Sequence, residues 1–212
     1  DGAPVSQDEW SGYIGQFHRA RAGITEAVLG QSHADGATPY EWLGASLAKR
    51  GSTIDLACGN APMQSVIGAG WLAVDFSEAE LTAARARHGA APLCRADAGA
   101  LPFRDHGIDA VVCCMGLMVI PAVETTLREL TRVARRDALI AVLVPASQPL
   151  TVRDRLRYAQ LLIALRITSF QYPNPEVVND PARVLQSGNL TVLDDTSKRF
   201  VFTPADDAEA DL

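Results

Sequence analysis

Basic charge, cysteine and long apolar runs are all scarce in this chain of 212 residues, and each scarcity closes a class of function. Nineteen Lys and Arg stand against 25 Asp and Glu, leaving a net charge of −6. Gripping a nucleic-acid backbone needs clustered cations, so a large phosphate footprint is excluded. The one basic cluster, Arg128, Arg132, Arg135 and Arg136, reads as the solvated face of a helix. The four cysteines (Cys58, Cys94, Cys113, Cys114) have no framework spacing, which suits buried thiols better than disulfides. No CxxC or paired His/Cys set points to a metal site. No apolar run approaches the roughly 20 residues of a membrane span, and no signal peptide is evident. The expected location is the cytoplasm.

What is present is ordinary for a folded globular chain: 48% hydrophobic and 21% charged residues. The length suits one domain with a full core. Short apolar runs at Ser52–Ala57, Trp71–Asp75, Pro92–Asp97, Asp109–Cys114 and Ala138–Val144 read as strands. Helical patterns at Pro62–Gly68, Glu78–His88 and Ala122–Ala134 lie between them. This alternation predicts an α/β fold, a mostly parallel sheet with helices on both faces. Helices are also expected over residues 8–31 (Trp10, Ile14, Phe17 and Arg21 in register), Tyr40–Arg50 and Val152–Ile167. Leu190–Leu193 and Arg199–Phe202 read as a closing hairpin, followed by an acidic tail, Asp206–Asp211.

In an open parallel sheet, ligands bind at the carboxyl ends of the strands. The first strand opens into TIDLACGNAP (residues 53–62), with a single glycine, Gly59. A dinucleotide fingerprint would need glycines at 57, 59 and 62, where Ala, Gly and Pro stand. A pyrophosphate cradle is therefore poorly supported, whereas a ligand without phosphates needs only one close backbone approach. Asp75 and Asp97 end the next two strands. Each could be a helix cap or a turn residue, but acids at successive strand ends also suit ribose hydroxyls and an exocyclic amine. Asp55 lies inside a strand, where Asp is depleted, and this argues for a functional reason.

The runs IDLACGNAP, AVDFSEAEL, RADAGALPFRDHGIDAVVC and LRELTRVARRDALIAVLVP, in this order, resemble the motifs of class I S-adenosylmethionine-dependent methyltransferases. The nearest likeness is to the small-molecule branch known as methyltransferase type 11. The resemblance implies a Rossmann-like three-layer sandwich with a seven-stranded sheet of order 3-2-1-4-5-7-6, strand 7 antiparallel. It divides the chain into cap helices (8–35), a cofactor-binding core (50–145), an acceptor-side insertion (146–188) and the closing hairpin (189–204). The implied cofactor is S-adenosylmethionine, with S-adenosylhomocysteine as product.

Carried over residue by residue, Asp55 and the loop Ala57, Cys58, Gly59, Asn60 would hold the methionine end. Asp75 would take the ribose, Phe76 would lie beside the adenine, and Asp97 with the Ala98 backbone would meet the adenine edge. Cys113, Cys114 and Met115 would line the floor near the methyl. Two family glycines are alanines here, and the stretch from Gly59 to Asp75 is about one helical turn shorter. His18 and Tyr13 in the cap are the candidates to touch an acceptor. Tyr172 either lines the acceptor pocket or anchors a loop. The expected partner is a small, largely apolar metabolite, with no nucleic acid and no membrane span; oligomeric state is not legible. A non-catalytic or repurposed S-adenosylmethionine-binding protein is the alternative.

Overall fold

A computed structural model of the chain describes residues 23–47, 50–68, 70–146, 151–165 and 172–202. Residues 8–22 of the expected N-terminal helical stretch therefore lie outside the described residues, and with them Tyr13 and His18; so does the acidic tail.

Helix α1 (Ile24–Leu29) is followed by the two-residue strand β1 (Ser32–His33) and helix α2 (Pro39–Gly44). The start of α2 is written in its sequence. Thr38 Oγ1 accepts from the Glu41 N–H, Glu41 Oε2 accepts from the Thr38 N–H, and Pro39 fills the first turn. After a 3₁₀ turn (Ala45–Leu47), strand β2 (Thr53–Leu56) enters the centre of the molecule. Then come α3 (Gln64–Ile67), β3 (Trp71–Asp75), α4 (Glu78–His88), β4 (Leu93–Arg95), β5 (Ile108–Cys114), α5 (Val123–Val133) and β6 (Ala134–Leu143). Beyond these lie α6 (Val152–Leu165), α7 (Pro175–Asn179), α8 (Pro181–Ser187) and β7 (Val201–Phe202). The proline-rich stretch read as a turn thus continues into two short helices, each opened by a proline in its first turn.

The main sheet has the order β4-β3-β2-β5-β6, with every pairing parallel. Alternation along each strand divides the core in two. Ile54, Leu56, Val111 and Cys113 face α5, with Leu127 and Leu130 against them. Ala110 and Val112 face Tyr40, Leu43 and Met63 on the other side. Strands buried on both faces explain the unbroken apolar runs.

Two expectations are corrected. Among the described residues the sheet has five strands, not seven, and none is antiparallel. The closing hairpin does not form: residues 189–200 carry no regular structure, and β7 pairs antiparallel with β1, Ser32 opposite Phe202. The residues of the second arm are drawn to different neighbours. Lys198 pairs with Asp35 at 3.1 Å, Arg199 with Asp154 at 2.8 Å, and the Phe200 ring lies 5.7 Å from that of Trp42. On the first arm Leu190 packs against the main core while Leu193 is left exposed.

The basic cluster is also more than a solvated face. Arg132 donates to the carbonyls of Leu101 (2.9 Å) and Phe103 (2.8 Å) and to Asp105 (2.7 Å). Glu129 orients it with two further bonds and accepts from the Leu101 N–H at 2.8 Å. This clasp fixes the LPF turn that follows Asp97.

Candidate functional site

The loop after β2 takes an unusual shape. Ala57, Gly59 and Ala61 have φ of +53°, +54° and +58°. All three occupy the left-handed region that glycine tolerates and alanine resists, by roughly 1–2 kcal/mol per residue. These are the three glycine positions of the acid-x-G-x-G-x-G loop pattern implied by the resemblance, which stands here as D-L-A-C-G-N-A at 55–61. The missing glycines therefore matter through backbone conformation. Space is not limiting at Gly59, where an added Cβ would meet nothing nearer than the Glu80 carboxylate at 3.6 Å.

Asp75, at the end of β3, braces this loop. Its Oδ2 accepts from the Gly59 N–H at 2.8 Å and its Oδ1 from the Ser77 N–H at 2.8 Å. A carboxylate has about four acceptor positions, so it can hold the loop and still receive ligand hydroxyls. Phe76 follows, 64% exposed, its ring covered by the Arg95 guanidinium at 5.8 Å. Asp97 is exposed, with Oδ1 accepting from the Gly99 N–H at 2.7 Å.

Asp55 is the electrostatic anomaly. It is 1% exposed, and among the described residues its Oδ2 has no hydrogen-bond partner. Burial, with the Asp75 charge added, pushes its carboxyl well above the usual range. Such an orphaned acceptor fits a cationic or hydrogen-bond-donating ligand group.

One cavity of about 880 Å³ gathers these residues. Its wall includes Asp55, Ala57, Cys58, Gly59 and Asn60 from the first loop, Asp75 and Phe76 from the second, and Asp97 and Ala98 from the third. Cys114 and Met115 close it on the β5 side. Cys113 does not reach it, because adjacent strand residues face opposite sides of a sheet. The Cys113 thiol is buried against α5, and burial raises it to about 12. Burial raises Cys58 and Cys114 as well, which favours the neutral thiol.

Among the wall residues that escaped the sequence reading, four hold the α1 side of the cavity together. Tyr40 comes from α2, Glu26 from α1, Glu80 from α4 and Gly23 from the turn before α1. Burial pushes the Tyr40 phenol up, keeping it a neutral hydroxyl. Glu80 accepts from the Gly23 N–H at 3.2 Å, and Glu26 pairs with Arg87 at 2.9 Å. Together they dock α1 onto the cofactor-loop side. Amphipathic spacing on three separate helices carries no mark of a shared cavity. Only the Ser77-x-x-Glu80 capping spacing offered a signal for Glu80.

Residues 54–142 match the family described as Methyltransferase domain. A Streptomyces avermitilis protein named demethylmenaquinone methyltransferase is 33% identical over 113 residues, 52% of this chain and 48% of that one. This chain thus spans about half the length of that curated relative. Similar solved structures include a Thermotoga maritima S-adenosylmethionine-dependent methyltransferase (TM-score 0.56, 12% identity, covering 84% of this chain and 78% of that one). Another is a chain of the complex between the Haloferax volcanii Trm112 methyltransferase activator and its methyltransferase (TM-score 0.55, 15% identity, 91% and 80% covered). At these identities the structures share the fold. Residues 54–142 match a methyltransferase domain, and the described fold is the one shared by S-adenosylmethionine-dependent methyltransferases.

The wall of this methyltransferase domain suits its cofactor, S-adenosylmethionine. The ligand carries a cationic amino-acid end, two ribose hydroxyls and a planar base. The cavity offers the unpartnered Asp55 oxygen, the Asp75 carboxylate and the exposed Phe76 ring in that order along β2 and β3. No helix among the described residues is long and apolar enough to cross a membrane.

Proposed function

We propose that the chain transfers the methyl group of S-adenosylmethionine to a small, largely apolar acceptor. The observation that carries this reading is the continuity of the cavity. The polar wall built by Asp55, Asp75 and Asp97 runs into an apolar one formed by Met63, Met115, Val119 and Ile120. A relative named for demethylmenaquinone methylation supports an apolar acceptor.

In this proposal Asp55, with the 57–60 loop, holds the methionine end, and Asp75 takes the ribose hydroxyls. Phe76 covers the adenine, whose edge meets Asp97 and the Ala98 backbone. Bound there, the cofactor supplies an already activated sulfonium methyl, so no covalent catalysis by the protein is required. The protein aligns acceptor and methyl and excludes water; orientation alone supplies on the order of 7–11 kcal/mol. Tyr40, neutral and buried at the wall, donates a hydrogen bond to a polar atom of the acceptor. His18 and Tyr13 are assigned to the same acceptor side, with residues 146–188 enclosing it. The Asn174 side chain anchors that segment by donating to the Ile120 carbonyl.

Incubation of purified protein with methyl-labelled S-adenosylmethionine and a metabolite extract tests the reading. Label is expected in organic-soluble small molecules. Label confined to RNA or protein contradicts it, and cofactor binding with no transfer to any fraction favours a repurposed binding protein.

A further inference from the structure

Helix α6 carries an apolar stripe that the rest of the described structure leaves uncovered. Val152, Leu156, Ala159 and Ile163 recur at intervals of four, three and four, the spacing of one helix face. Val152, Leu156 and Ile163 are 78%, 64% and 76% exposed, and Ala159 is exposed too. At about 100° per residue, Arg155 borders one side of the stripe and Arg153 the other, with Arg157 beyond Arg153 toward the polar face. All three arginines are exposed, and none forms an ion pair among the described residues. The single acid of the helix, Asp154, is turned away and neutralised. It accepts from Arg199 Nε at 2.8 Å and from Thr151 Oγ1 at 2.7 Å.

We propose that α6 lies flat on an anionic lipid surface, its apolar stripe among the acyl chains and its arginines at the headgroups. Charge decides the occupant. The chain as a whole is acidic at −6, yet this helix presents only positive charge around its apolar face, as surface-bound amphipathic helices do. A second copy seated on the same stripe would set arginines against arginines, with Asp154 already taken. Phosphates of a nucleic acid would leave the apolar stripe in water.

The inference rests on the helix surface, so its failure leaves the methyl-transfer reading intact. The test is co-sedimentation of the full chain with phosphatidylcholine vesicles, with and without phosphatidylglycerol. The chain is expected to bind the anionic vesicles, to release them at high salt and to ignore the neutral ones. Each Arg→Gln change at 153, 155 or 157 should weaken binding about fivefold. Leu156→Glu with Ile163→Glu should abolish it while S-adenosylhomocysteine binding, read by calorimetry, persists. The arginine variants change only exposed side chains, so they decide the question even if the double variant folds poorly. Absence of binding to anionic vesicles, or binding indifferent to all these changes, overturns the proposal. So does a dimer, seen by light scattering, that the double substitution converts to monomer.

Discussion

The Asp75 carboxylate accepts from the Gly59 N–H at 2.8 Å, so the end of one strand fixes the left-handed turn that ends its neighbour. The same carboxylate accepts from the Ser77 N–H and so shapes the entry to α4. Asp75→Asn keeps one acceptor oxygen and loses one of these bonds. Leaving a partly buried donor unpaired should lower stability by about 1–3 kcal/mol. S-adenosylhomocysteine affinity should fall at least about tenfold, roughly 1.4 kcal/mol. Chemical denaturation and calorimetry read the two effects separately. A loss of stability with unchanged affinity would confine Asp75 to the loop.

In the proposed site, Asp55 is expected to make cofactor binding sensitive to pH. Because its carboxyl is raised in the folded chain, the folded state keeps a proton that the unfolded state loses near pH 4. Its contribution to stability is therefore greatest in acid. That contribution declines as pH rises from the ordinary carboxylate range toward the raised value. Asp55→Asn should flatten this part of the melting-temperature profile and raise the melting temperature of the ligand-free protein near neutrality. Binding a cationic ligand end should expel the proton. The calorimetric enthalpy of S-adenosylmethionine binding should then vary with buffer ionisation enthalpy in the native chain and lose that dependence in Asp55→Asn. A native binding enthalpy independent of buffer would contradict the assignment.

Ala57 and Gly116 are coupled by space. A Cβ on Gly116 would lie 2.6 Å from the Ala57 Cβ and 2.9 Å from the Cys113 sulfur. Gly116→Ala should destabilise by about 1–3 kcal/mol. Ala57→Gly relieves a left-handed alanine against the greater chain entropy of glycine, for a net gain of roughly 0.5 kcal/mol. Combining them should recover part of the Gly116→Ala loss, with a coupling of at least about 0.5 kcal/mol in a double-mutant cycle. Strict additivity would show that the clash is absorbed elsewhere.

The sequence made the strand ends legible because they combine two strong signals. Trp71–Asp75 is an apolar run closed by an acid, and the structure sets its strand on those same residues. Asp55 was legible as a charge where charge is depleted, and it proved to be the buried orphan. Cys113 was misread with Cys114 because a motif names consecutive residues while a strand sends them to opposite faces. The hairpin at 190–202 failed because short apolar patches specify a strand only where a neighbouring edge receives them. Here Lys198, Arg199 and Phe200 are drawn to other partners. Tyr40 and Glu26 were invisible because a cavity wall assembled from separate helices leaves no local spacing to read, and Glu80 showed only as a capping residue.

Arg132 should matter for folding and little for the cofactor. Arg132→Lys retains charge but loses the planar fork that reaches Leu101, Phe103 and Glu129 together. The melting temperature should drop, and S-adenosylhomocysteine affinity measured below the transition should stay within about twofold of the native value. A selective loss of affinity at unchanged melting temperature would place Arg132 in the binding machinery instead.

The central claim is that this cavity holds a phosphate-free adenosyl cofactor on Asp55, Asp75 and the left-handed 57–61 loop. Calorimetric titration of the full chain with S-adenosylhomocysteine, and separately with NAD, tests it most directly. The account predicts one-to-one binding of S-adenosylhomocysteine, weakened by Asp75→Asn, and no binding of NAD. Binding of NAD, or no heat with S-adenosylhomocysteine while the chain is folded, would contradict it.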